Sequence, residues 1–414
     1  MRRKNKRGSP GAGPPPLEGV RVLDFGQAAV GPFCTQLLAW MGAEVVLIET
    51  RGRLLSRETP PFAYGRRTAN TSGFFNLLGN NKVGVTLNLA TSSGLKLARE
   101  IVKVSDVVVE NFTTGTMERL GLGYQELRRL RPDLIMLSVG GFGRTGSMAR
   151  YAALHSGVTV ASGIAMITGY PGGRPRIIGG ILPDTLGGLC GCLAVLEAVW
   201  DRQSTGRGHY IDFSMSEVLT HMMPEAIFDY AVNGREPQYL GNRDRLHAPQ
   251  GVYRCQGWDA WVGISVTSDA EWRALCDAIG QREMTDEPHF ATEEARQIHH
   301  DELDALITKW TRGRSQEEAV RLLQQSGVPA GPSFNAKDLL NDPHLKARGF
   351  VHAVVHPEAG RRRMLGLPWH ISGTPPLRLR RAPLLGEHTQ EVIESLLGLS
   401  RRRVRELKHE GALS

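Results

Sequence analysis

Cysteine is scarce in this 414-residue chain. Five occur, Cys34, Cys190, Cys192, Cys255 and Cys276, an odd and scattered set that fits neither a disulfide framework nor the spacing of a metal site. A reducing compartment, the cytosol, is the default expectation, and no metal is expected. No apolar run reads as long enough to span a bilayer, so no membrane role is expected. Basic residues interleaved with aromatics are missing too, and with them the footprint of a nucleic-acid surface. The first βα turn, Gly26-Gln27-Ala28-Ala29-Val30-Gly31-Pro32, lacks the G-x-G-x-x-G phosphate fingerprint, which disfavours ordinary dinucleotide binding. Acidic residues are absent from residues 1–16, which hold five of the eight net positive charges together with a Pro-Pro-Pro run. That segment reads as a disordered basic tail. It has no apolar core, so it is not a secretory signal; its acid-free, Arg/Lys-rich composition leaves an organellar address open.

What remains is the composition of a soluble globular protein long enough for two domains, with a moderately cationic body suited to a phosphate-bearing small molecule. Val20–Phe25 reads as a strand, Gly26–Gly31 as a loop, Pro32–Met41 as a helix and Ala43–Glu49 as a second strand. This βαβ unit predicts a parallel, Rossmann-like sheet. The alternation continues through a strand at Val83–Leu89, a helix at Ser92–Lys103, a strand at Val107–Glu110, a helix at Tyr124–Leu130 and a strand at Leu134–Val139. An α/β fold with helices on both sheet faces follows. Composition changes near residue 235. Strands are expected around Gly251–Tyr253 and Trp261–Val266, then a helix from Asp269 capped by Thr267 or Ser268, and further helices at Asp301–Thr311 and Gln316–Gln325. The domain reading is 17–225 for the first part of a large domain, 226–340 for a smaller α+β domain with its linker, and 341–414, ending in a terminal helix, for the return to the large one.

Asp184 is the most informative residue. In Ile181-Leu182-Pro183-Asp184-Thr185-Leu186-Gly187-Gly188 an apolar run meets an acid and then glycines. Leu186, Leu189, Leu193, Leu196 and Trp200 follow at helical spacing and predict a buried stripe. Cys190 and Cys192 fall in this helix and read as packed thiols. Asp184 is open to two readings: an N-cap for the helix, or a carboxylate held at a helix N-terminus as a nucleophile.

Several motifs, taken in order, tip that balance. They include Leu17-Glu18-Gly19-Val20-Arg21-Val22-Leu23-Asp24-Phe25, Gly31-Pro32-Phe33-Cys34, Leu38-Ala39-Trp40-Met41-Gly42-Ala43-Glu44-Val45, Asn81-Lys82 and Val109-Glu110-Asn111-Phe112. Gly141-Phe142-Gly143, Thr205-Gly206-Arg207-Gly208 and Pro383-Leu384-Leu385-Gly386-Glu387-His388-Thr389 complete the set. Through them the chain resembles the class III CoA-transferases (CaiB/BaiF type, formyl-CoA and carnitine CoA-transferases), whose superfamily includes the α-methylacyl-CoA racemases. The resemblance spans Leu17 to about Leu407. It implies a Rossmann-like large domain built from both chain ends, a small domain, and an interlocked, ring-like homodimer.

The resemblance also assigns roles. Asp184 would attack an acyl-CoA thioester to give a mixed anhydride and then an aspartyl-CoA thioester, with an acyl-CoA donor and a carboxylic-acid acceptor as substrates. Coenzyme A is then a substrate and no metal is required. Gly140–Gly143 and Gln27–Gly31 are the candidates for stabilising oxyanions. Asn111, Phe112 and Arg119 match CoA-contacting positions, and the alternative for them is a strand end with a solvated arginine. Ala28, Ala29, Val30 and Leu87 match positions lining the same cleft. Met215 matches a residue near the thioester, or is plain core. Where several transferases carry a basic residue after the second strand, this chain has Glu49-Thr50-Arg51-Gly52, and Arg51 stands one position displaced. Ala29 replaces a glutamine that some members use for small carboxylates, which sets oxalate and formate chemistry in doubt. His155 falls where transferases have an acid and next to the racemase histidine position. It reads as a catalytic residue, a racemase proton carrier after a one-residue slip, or a loop histidine. The alternatives to CoA transfer are an acyl-CoA racemase or isomerase and a non-catalytic CoA-binding homologue.

Overall fold

The computed structural model describes residues 13–414, so most of the expected tail lies outside the described residues. Residues 13–16 do not behave as a disordered segment. The Gly13 N–H donates to the Gly373 carbonyl at 2.9 Å, and Pro15 sits so close to Gly42 that a Cβ there would lie 2.3 Å from the proline Cβ.

Six strands, β1 (Arg21–Asp24), β2 (Glu44–Glu49), β3 (Val83–Thr86), β4 (Val107–Glu110), β5 (Ile135–Gly140) and β6 (Tyr210–Ser214), form a sheet in the order β3-β2-β1-β4-β5-β6. Every pairing is parallel. This is the doubly wound order of an α/β fold, with its topological switch point between β1 and β4. Near-continuous apolar runs such as Val107-Val108-Val109 suit strands buried on both faces. Alternate residues divide between two cores. Leu23, Val46, Val85 and Val108 face one that includes Leu97 and Ile101 of the Ser92–Lys103 helix. Val22, Val45, Val107 and Val109 face another, shared with Cys34, Leu37 and Leu38 of α1 (Val30–Trp40). Two terminal helices, Thr389–Leu397 and Arg401–His409, stand where one was expected. Gly398 (φ +65°) ends the first and the Ser400 side chain caps the second. Val392, Ile393, Val404 and Leu407 from them enter the first core.

The described chain divides into two compact units, 13–164 with 177–227 and 343–414, and 165–176 with 228–342. The second unit includes 165–176, a short excursion that the sequence reading keeps in the large domain. It holds an antiparallel sheet of β7 (Gln250–Arg254), β8 (Trp261–Ser265) and β9 (Ala330–Pro332). Its core includes Tyr253, Val262, Ile264, Trp272, Leu275 and Leu303. Ser268 caps the helix Asp269–Ile279. A hairpin of β10 (Val351–His356) and β11 (Gly360–Leu365) belongs to the first unit and was not anticipated.

The Leu182–Thr205 helix corrects three expectations. Its buried face is not the leucine stripe. Leu186 and Leu196 are half-buried, but Leu189, Leu193 and Trp200 are exposed. The covered residues are Gly187, Gly188, Gly191, Cys192, Val195, Ala198 and Val199. Close packing on α1 requires small residues: a Cβ on Gly188 would lie 2.9 Å from the Val30 carbonyl oxygen and 3.1 Å from the Cys34 nitrogen. Second, Asp184 is not the N-cap; Ile181 occupies that position with no side-chain bond, and Asp184 lies in the first turn. Third, this helix of 24 residues is long and apolar enough to cross a membrane by length and composition. Its Cys192, Val195, Ala198 and Val199 pack against α1 and the sheet core instead. Of the two thiols placed here, Cys192 is packed in that core and Cys190 is half-exposed.

Candidate functional site

The site forms where parallel strands end. Asp24, Glu49 and Glu110 are the last residues of β1, β2 and β4, and all three are buried. An acid closing an apolar strand must find a cation or forfeit its hydration. Lys82 Nζ reaches Asp24 Oδ2 at 2.9 Å. The Arg57 guanidinium takes Glu49 in a fork, with bonds of 2.6 and 2.8 Å, and stacks 3.5 Å from the Phe75 ring centroid. Arg144 holds Glu110 at 2.7 Å. Burial still pushes the Glu110 carboxyl above the usual range, against the pull of Arg144, Ser138 and the Phe112 N–H. None of these pairs was read from the sequence. The signal for them was an acid at the carboxyl end of each apolar strand.

At the switch point the loops after β1 and β4 are clamped together. The Gln27 N–H donates to Asn111 Oδ1 at 2.7 Å, and Asn111 Nδ2 donates to the Gln27 carbonyl at 2.8 Å. Ala28 adopts φ +55°, a left-handed conformation costly for a residue with a Cβ. Its carbonyl accepts from Ser56 Oγ at 3.1 Å. Ala29 is the cap position of α1 and Val30 opens the helix, two residues before the Pro32 start expected from sequence. Neither the Ala28 nor the Ala29 N–H meets an acceptor among the described residues.

Asp184 lies beside this loop. It is half-buried in the first turn of the Leu182–Thr205 helix. Its own N–H and that of Val30, at the start of α1, both favour the charged form. His155, at the start of the helix His155–Ala161, also favours the anion. Burial outweighs all three and holds the Asp184 carboxyl above the usual aspartate range. The result is a desolvated carboxylate that is more basic than an exposed one, which suits a nucleophile.

The remaining expectations separate. Met215 is buried in the core and packs beneath the Asp184 turn, where a Cβ on Gly187 would meet Val30 Cγ2 at 3.1 Å and Met215 Cγ at 3.4 Å. Leu87 does not line a cleft. Its side chain is fully buried in the first core, its N–H donates to Glu49 and its carbonyl accepts from Thr50. Phe112 is half-buried against the same core. Arg119 is exposed and its guanidinium donates to Thr116 Oγ1 at 2.8 Å. Arg51 is exposed; a small cavity at the carboxyl ends of β1 and β2 is lined by Gln27, Arg53, Leu54, Ser56, Phe75 and Lys82 among others. The turn after β5 is tight enough that a Cβ on Gly140 would meet the Gly143 carbonyl oxygen at 2.6 Å. Among the described residues, no group of three or more His, Cys, Asp or Glu is placed to hold a metal ion.

Comparison with known proteins bears on this geometry. The pattern that defines CoA-transferase family III matches residues 17–389. A succinyl-CoA–D-citramalate CoA-transferase of Chloroflexus aurantiacus is 36% identical over 388 residues, covering 94% of this chain and 95% of its own length. A formyl-CoA:oxalate CoA-transferase of Rhodopseudomonas palustris is 31% identical over 425 residues, covering 96% and 97%. Among solved structures, a CAIB/BAIF family protein from Brucella suis superposes with a TM-score of 0.83 at 29% identity, covering 92% of this chain and 99% of that one.

Proposed function

The chain belongs to CoA-transferase family III and is a class III CoA-transferase; from that premise we propose that it moves CoA from an acyl-CoA donor to a carboxylic-acid acceptor through covalent intermediates on Asp184. The observation that carries this reading is the half-buried Asp184 carboxylate in the first turn of its helix, its proton affinity raised by desolvation against the pull of His155 and the Val30 N–H. An Asp184 oxygen attacks the thioester carbonyl, the C–S bond breaks, and CoA leaves as thiolate, giving a mixed anhydride. The thiolate returns to the aspartyl carbonyl and releases the donor acid. An acceptor carboxylate then attacks the aspartyl-CoA thioester, and the thiolate set free captures the acceptor acyl group, restoring Asp184. Each tetrahedral oxyanion needs donors already in place, and the N–H groups of Ala28 and Ala29 and of the Gly140–Gly143 turn supply them. Asn111 and Phe112 border the nucleotide end of the cleft, where distant binding energy holds the thioester at the acid.

Trapping tests this directly. With succinyl-CoA as donor and hydroxylamine present, the peptide containing residue 184 should gain the mass of a hydroxamate. Turnover without that adduct would remove the covalent route. Entry of solvent deuterium at the substrate α-carbon without any acceptor acid would favour the racemase instead, using His155 and Asp184 as the proton carriers.

We further propose a homodimer of the interlocked kind. Its support is the exposed apolar surface of the first unit, with Leu154, Leu193 and Trp200 at 77%, 67% and 77% exposure; patches of this kind on a folded protein mark an interface. Sedimentation should give twice the chain mass, and Leu193→Glu combined with Trp200→Glu should give the chain mass alone. A wild-type monomer would refute the assembly.

A further inference from the structure

We propose that Arg144 is a positioning residue for CoA transfer, fastening the glycine turn after β5 to the loop after β4 so that the thioester end and the nucleotide end of the cleft keep a fixed separation. This rests on the reading of Asp184 as the reacting group.

Gly143 adopts φ +78°, and glycine leaves the backbone with more freedom to lose than any other residue. Gly140 pairs with Ser214 of β6, the Gly141 carbonyl accepts from the Ser216 N–H at 2.9 Å, and the Phe142 ring meets Tyr151 edge-on; Arg144 adds the ties from this turn across to β4. Its Nη1 donates to the Phe112 carbonyl at 2.6 Å and to Thr114 Oγ1 at 3.3 Å. Its Nη2 donates to Glu110 Oε1 at 2.7 Å and to the Val139 carbonyl at 2.9 Å. Its own N–H donates to Asp212 Oδ1 at 2.6 Å. One guanidinium thus joins the ends of β4 and β5 and the loop carrying Phe112, while its backbone is tied to β6. Thr114 extends the clamp by donating to the Ala149 carbonyl at 2.6 Å. The remaining donor, Nε, is buried without a partner, so the side chain is committed to this geometry. A lysine offers one point charge and cannot reproduce the fork.

The two sides of the clamp have different jobs. Beyond it the chain runs to His155, whose charge favours the Asp184 anion, and on the proposed reading the turn itself offers N–H groups to the thioester oxygen. On the other side, Asn111 and Phe112 stay in place without Arg144. Asn111 is locked to Gln27, and Glu110 is held by Ser138 Oγ and the Phe112 N–H. Loss of the fork should therefore loosen the reacting end and spare CoA binding.

Arg144→Lys is the deciding variant, because Arg144→Ala strips Glu110 of its cation and endangers folding. In Arg144→Lys, kcat should fall roughly 10- to 100-fold, the scale of a misplaced reacting group, while the Kd for CoA changes by less than about threefold. Guanidinium ion should restore part of the loss in Arg144→Ala if that variant folds. Wild-type kcat in Arg144→Lys overturns the proposal. So does an equal loss of CoA affinity, which would make Arg144 a ligand-binding group. Should the wild type move no CoA between acids, the Asp184 reading fails first. Hydrogen exchange then decides the clamp alone: faster exchange of amides 140–150 in Arg144→Lys supports it, and unchanged exchange removes it.

Discussion

Asp184→Asn should abolish CoA exchange while leaving the fold and CoA binding intact. The amide has the size of the acid and keeps one oxygen, so the first turn of the Leu182–Thr205 helix keeps its packing. It cannot form the anhydride. Loss of a covalent nucleophile lowers kcat on the order of 10⁴-fold or more, far beyond what a displaced hydrogen bond costs. The pH profile gives a second signature. Burial raises the Asp184 proton affinity, and only the carboxylate attacks. Activity should therefore rise with pH through a limb lying above the ordinary aspartate range. His155 pulls that limb downward, so His155→Gln should move it to higher pH. Retention of exchange in the amide variant, or an acid limb that His155→Gln leaves unmoved, would argue that another group reacts.

Much of the fold was legible because glycine and proline punctuate strong periodic segments. The helices Ser92–Lys103, Tyr124–Leu130 and Gln316–Gln325 stand where their patterns place them, and Ser268 caps its helix as expected. The error in the Leu182–Thr205 helix has a physical cause. Leucines at helical spacing announce an apolar face, but sequence does not say what covers it. In this chain the closest packing goes to Gly187, Gly188 and Gly191, where added Cβ atoms would meet Val30 and Met215 side chains, the α1 backbone, and the Leu137 side chain in turn, and the leucine face is left outward. The site divides similarly. Asp184 was singled out by its motif, but the desolvation that raises its proton affinity and the pull of Val30 and His155 on it are tertiary and have no local signature. Sequence nearness to β2 does not say which arginine turns toward it: Arg51 is exposed, and Arg53 lines the small cavity beside β2. The same limit hid Lys82, 58 residues from the acid it neutralises.

Lys82→Met should cost about 3–5 kcal/mol of stability, the range for removing one partner of a buried ion pair. Lys82 and Asp24 are essentially fully buried, with side-chain exposures of 1% and 0%. The ammonium donates to Asp24 Oδ2, to the Pro32 carbonyl at 2.8 Å and to Thr35 Oγ1 at 2.7 Å, which uses all three of its protons. Methionine fills the space and meets none of these acceptors. Asp24 retains bonds from Thr35 Oγ1 at 2.6 Å and the Gly26 N–H at 2.7 Å, but no cation. The loss should appear as a lower urea midpoint with an unchanged slope. The double variant Asp24→Leu with Lys82→Met should recover most of it, because an apolar pair of similar volume avoids the desolvation of two charges. A single variant within about 1 kcal/mol of wild type would show that the pair is not structural in the sense argued. Because Pro32 lies in the first turn of α1, two residues from Val30, whose N–H favours the Asp184 anion, the recovered double variant separates two roles. If its stability returns and its kcat does not, the ammonium is needed to hold the first turn of α1 where the proposed chemistry at Asp184 requires it.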